Sequence, residues 1–154
     1  MKDSQLSEMT ESEFLSTSAS RRLFTHEHAR RFAVVTPCQS NDRFAMSWRS
    51  DLIEPSVVVD EANHTTWIAV DERIAGIKAN GQIIFSITTH TPILSLQKFS
   101  AGIVVISEAQ AIVINCDCSI RSIHEFPDIV QDFHLEDDAL TVMFTDANPM
   151  TYSL

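Results

Sequence analysis

The sequence predicts an all-β protein, an incomplete, half-propeller-like stack of antiparallel meanders, and three observations predict it. Short hydrophobic runs rich in Val and Ile recur along the chain, separated by polar or glycine-containing turns. None is long enough, or periodic enough at 3.6 residues, to read as a helix. The runs also repeat: Pro55, Pro92 and Pro127 stand 37 and 35 residues apart, and each opens a similar succession.

Residues 1–20 read as a polar leader. In it Thr10 caps one or two helical turns, and Glu13 three residues on completes a capping box. The leader has no apolar core and so is not read as a secretory signal. Residues 21–154 read as a single all-β domain. Arg21, Arg22, Arg30 and Arg31 make its basic cluster. His26 and His28, two apart, suit one face of a strand. A metal there needs a third ligand from elsewhere, and a solvated basic edge is the simpler reading. Residues 32–35 and 44–48 flank a polar loop and make a hairpin, a partial blade that packs on the first full one or lends a strand to the last. Residues 50–55 link it to the repeats.

The first repeat, about 55–91, carries runs at 57–59, 67–70, 74–77 and 83–87, with Trp67 read as core. Its turns are residues 61–64, with His64 exposed, the tight pair Asp71-Glu72, and Asn80-Gly81, a strong hairpin signal. The second, about 92–126, is the clearest: runs at 92–96, 103–107, 111–116 and 119–124, with turns near Gly102 and at 108–110. The third, about 127–154, has runs at 129–130 and 140–144 and a further run at 150–154. Turns between the second and third runs project from one end of successive blades, which puts Asp71, Glu72 and Glu108 on one rim. Glu136, Asp137 and Asp138 add a run of three acids in another turn. These six are the candidate partner-binding residues.

Composition narrows the function. A hydrophobic fraction of 44% belongs to a folded globule, and no apolar run reaches membrane-spanning length. The expected compartment is the cytoplasm. Cys38 is isolated. Cys116 and Cys118, on a strand, point to one face beside Ile112 and Ile114, as small apolar residues of a reducing cell and not half of a zinc site. There is no G-x-S-x-G, no H-E-x-x-H and, with three glycines in all, no phosphate loop. The expectation is no enzyme, no catalytic residue, no cofactor and no metal.

The net charge of −10 is concentrated late in the chain. From residue 99 onward Glu108, Asp117, Glu125, Asp128, Asp132, Glu136, Asp137, Asp138 and Asp146 face one base, Arg121. Such a field repels nucleic acid and speeds encounter with a basic protein. Two and a half blades plus a hairpin do not make a ring, so the stack is expected to leave an open side covered by the leader, a second copy or another protein.

The strand pair W-I-A-V-D-E-R-I-A-G-I at 67–77 and the turn N-G-Q-I-I at 80–84, in a small acidic all-β chain, carry a resemblance. Over residues 50–154 the chain resembles single-domain immunity proteins of bacterial toxin–immunity and contact-dependent growth inhibition systems. The resemblance implies a cytoplasmic monomer or homodimer that binds one cognate toxin, a basic nuclease, and occludes its active-site cleft. The alternative is a regulatory or scaffolding β-module that works by protein–protein interaction, as a homodimer.

Overall fold

A computed structural model describes residues 4–18 and 20–154. Among these, the strands lie in four separate sheets, none closed on itself, and the all-β class holds. The chain divides into two compact units, Met1–Thr88 and Thr89–Leu154, where the sequence suggested one domain.

Unit 1 holds two four-stranded sheets. In the first, β1 (Gln5–Met9), β2 (Arg21–Phe24), β3 (Arg31–Thr36) and β4 (Phe44–Trp48) run in the order β1-β3-β4-β2, with β2 parallel to β4. The β3–β4 pair is the hairpin expected from the sequence. The segment read as a leader belongs to this sheet: Gln5 to Met9 pair with Thr36 to Phe32. After it, α1 (Glu11–Ser16) starts at the expected cap, where Glu13 N–H donates to Thr10 Oγ1 (3.2 Å) and Thr10 N–H to Glu13 Oε2 (2.7 Å). Alternation along β3 sends Ala33 and Val35 into the core and leaves Phe32 on the other face, where the buried Phe14 ring of α1 meets it at 5.2 Å. The helix thereby covers apolar surface that a solvated leader would leave open.

The second sheet is the first Pro-led repeat: β5 (Ser56–Asp60), β6 (Thr65–Val70), β7 (Arg73–Lys78) and β8 (Ile83–Thr88), paired in sequence order. Ile68, Val70, Ala75 and Ile77 pack on Phe24, Ala33, Val35, Phe44, Met46 and Trp48 of the first sheet, a face-to-face stack of two blade-like layers. Trp67 lies across from Gly76, whose missing side chain admits the indole at 3.1 Å from where a Cβ would stand, and Phe85 meets the same ring at 5.3 Å.

Arg21, Arg22 and Arg30 are exposed, as a solvated basic edge requires, yet the cluster also makes specific contacts. Arg21 Nη1 donates to Gly81 O (2.6 Å) and Arg22 lies 3.8 Å over the Phe14 ring. Arg31 stands 5.0 Å over Trp48 and bonds Glu54 and Glu8. Hydrogen bonds from Arg31 hold the Glu54 carboxyl below its ordinary value, and those carboxylates hold the guanidinium more firmly charged. His26 and His28 lie in a turn, not on a strand face, and His28 N–H donates to His26 Nδ1 (3.0 Å).

Unit 2 holds the other two repeats. β9 (Ile93–Phe99), β10 (Gly102–Ser107), β11 (Gln110–Asn115) and β12 (Ile120–Glu125) form a four-stranded meander. β13 (Val130–Glu136), β14 (Ala139–Phe144) and β15 (Met150–Ser153) form a three-stranded one. Their shared core sets Val104, Ile106, Ala111 and Val113 against Leu140, Val142 and Phe144. The cysteine pair is placed differently from expectation. β11 stops at Asn115, because Asp117 Oδ1 accepts from Ser119 N–H (2.9 Å) and closes a turn with Cys118 at φ 67°. Cys116 and Cys118 therefore sit in a turn, with Cys116 exposed.

Candidate functional site

Of the six acids singled out from the sequence, Asp71 and Glu72 belong to unit 1 and the other four to unit 2. Asp71 is buried and accepts from the main-chain N–H of Arg49 (2.7 Å) and of Ser50 (3.4 Å), so it ties the β4 exit to the β6–β7 turn. Its φ of 49° is a conformation that Asp tolerates better than most residues. Glu72 beside it is half-buried.

In unit 2 the meander topology separates the others. Glu108 lies between the second and third strands of its sheet, whereas Glu136, Asp137 and Asp138 lie between the first and second of theirs, at the opposite end. Asp138 confirms the placement by accepting from the N–H (2.9 Å) and the hydroxyl of Ser100, in the β9–β10 turn. Asp137 and Asp138 have φ of 46° and 59°, and Glu136 pairs with Ala139 across them. A two-residue hairpin with both central φ positive demands Gly, Asn or Asp, so turn geometry accounts for part of the acidic run. Of the six, Glu108, Glu136 and Asp137 are exposed.

What unit 2 does present is one acidic sheet face. Along β14, Leu140, Val142 and Phe144 point into the core, which sends Thr141 and Met143 outward. Across from them on β13 stand His134 and Asp132, with Glu136 continuing the row, and Thr151 of β15 on the other side. His134 Nε2 lies 3.5 Å from Glu136 Oε2, and Thr141 Oγ1 lies 3.0 Å from Thr151 Oγ1. The face is solvated, polar and negative, with Met143 as an exposed apolar point toward one end of the middle strand. Thr89–Leu154 carries nine acids against Lys98 and Arg121, a net −7. Sequence reasoning missed this face because β13 carries a register shift between Val130 and Asp132 that hides its alternation.

Three aspartates of this unit are fixed by local bonds. The Ser119 hydroxyl holds Asp117, the Asp146 N–H holds Asp128 and the Ser100 hydroxyl holds Asp138 below the ordinary value of 3.8. A depressed folded pKa contributes stability that is present above the unfolded value and lost as pH falls through the folded one. The urea midpoint is therefore expected to hold down to about pH 4 and fall below it, and Asp138→Asn to flatten that fall. An equal fall in wild type and variant contradicts this.

Catalytic geometry is weaker. Ser122 Oγ lies 3.1 Å from His124 Nε2, a serine hydroxyl beside an imidazole. The ring also meets Tyr152 at 4.9 Å, and among the described residues no carboxylate is bonded to the imidazole as a triad requires. In unit 1 an open groove of about 410 Å³ runs between β1 and α1, lined by Glu8, Glu13 and Arg43 among others. Glu13 there is engaged by Thr10, whose bonds hold its carboxyl below the ordinary range, and Glu8 by Arg31. Among the described residues no three His, Cys, Asp or Glu side chains are grouped to hold a metal ion, and no helix is long and apolar enough to cross a membrane. The chain matches no protein-family model, and comparison with curated proteins finds no significant match.

Proposed function

We propose that the protein is a non-catalytic binding module that neutralises a basic protein by occupying its charged cleft. In the specific form we favour, it is an immunity protein of a bacterial toxin–immunity pair, acting in the cytoplasm on a nuclease toxin. The observation that carries the reading is the outer face of the last sheet, where Asp132 stands across from the exposed Met143 and Glu136 lies at the other end of the same row. Acidic side chains there stand in for the phosphates of nucleic acid in a basic cleft, and Met143 supplies an apolar contact. His134 and Glu136 stand 3.5 Å apart on an exposed sheet face and not in a concave pocket, which fits occlusion better than catalysis.

The test is co-expression with the protein encoded immediately upstream. The expected result is rescued growth and a 1:1 complex in sedimentation, weakened as salt is raised. Asp132→Lys with Glu136→Lys is expected to weaken that complex about tenfold or more, chiefly through slower association. Failure to rescue growth, or binding indifferent to both salt and charge reversal, would sink the proposal.

A further inference from the structure

The first two repeats form four-stranded sheets, and the described strands of the third form a three-stranded one. In each of the first two, the third strand is covered on its outer side by a fourth: β7 by β8, and β11 by β12. In the last sheet the third strand, β15, is the edge. We propose that β15 accepts an extended, basic segment of another protein as the fourth strand of this sheet. This rests on the reading of a basic partner given above and names where its backbone is held.

Leu154 N–H donates to Asp138 O (2.9 Å), which fixes the hydrogen-bonding phase of the β14–β15 ladder. By antiparallel alternation Met150 and Tyr152 turn their main-chain groups toward β14, and Thr151 and Ser153 turn theirs outward. That outward row is what strand addition uses. Edge strands are commonly blunted by charge or proline. Among the described residues β8 and β15 are the edge strands with no charged side chain, and β8 is already the fourth strand of its sheet.

Beside the edge lies a shelf for the incoming side chains. Tyr152 meets His124 at 4.9 Å and Phe126 at 5.9 Å, and Met150, 43% exposed, extends the same side. Alternate residues of the added strand rest on this shelf as apolar groups, and the residues between them point to the outer, acidic side. The net −7 of the unit selects the occupant: it attracts a basic segment and repels a second copy of the same edge.

The experiment uses the full chain and a synthetic peptide alternating lysine with valine, with a glutamate–valine peptide as comparison. Read by amide hydrogen exchange at low salt, the basic peptide is expected to slow Thr151 and Ser153 about tenfold and the acidic one to leave them unchanged. Thr151→Pro removes an outward N–H at an edge position where proline is tolerated, so the sheet survives and the protection is lost. Protection retained in Thr151→Pro, protection elsewhere, or none with about 1 mM peptide overturns the proposal. So does slow exchange at these amides that depends on protein concentration without peptide, which would make the occupant a second copy. If the upstream protein binds Thr151→Pro as tightly as wild type, the edge reading fails while the binding function stands; if it binds neither form, the function reading fails.

Discussion

Gly102→Ala is expected to destabilise unit 2 by about 3 kcal/mol, the upper end for a forced overpacking of a tight interior. A Cβ at this position would stand 1.9 Å from Ile114 O and 2.9 Å from its carbonyl carbon. Those atoms are backbone of β11, paired to β10 at Gly102–Asn115 and Ile103–Ile114, so no side-chain rotation relieves the clash. The strand must move, and with it Val104 and Ile106, which hold the two sheets of the unit together. Equilibrium urea unfolding measures it, and a loss below about 1 kcal/mol would show that the β10–β11 approach is looser than described.

Asp71→Ala is expected to cost about 2 kcal/mol, because it removes the buried carboxylate that accepts from the main-chain N–H groups of Arg49 and Ser50. Asp71→Asn keeps one acceptor oxygen and a residue that tolerates the φ of 49°, and is expected to recover about half of the loss. The same pair separates structure from binding. If Asp71 is a tie within the fold, Asp71→Asn leaves affinity for the basic partner unchanged; a large loss of affinity with stability retained would return it to the binding surface.

The first two Pro-led repeats were legible because each buries a central strand on both faces. All six residues of β6 and all six of β10 are buried, so both appear in the sequence as unbroken hydrophobic or small-residue runs. β1 was not legible: Gln5 to Glu8 are exposed, so no alternation marks the segment, and its pairing to β3 is recorded only in the backbone. β2 was hidden by Arg21 and Arg22, exposed residues whose guanidinium groups also meet aromatic rings and carbonyl oxygens. The acids misled for a related reason. Asp71 and Asp138 occupy positive-φ turns and accept hydrogen bonds from neighbouring turns, so their negative charge is partly incidental to a backbone requirement. Charge counting located the acidic unit; only the strand order separated its two ends and placed β15 at an edge.

The most direct test is amide hydrogen exchange of the full chain with and without the basic protein encoded upstream, followed along the whole sequence. Slowed exchange concentrated in residues 130–154, strongest at Thr151 and Ser153, is the predicted result. Slowed exchange confined to residues 5–88 would contradict the assignment of the last sheet as the binding surface.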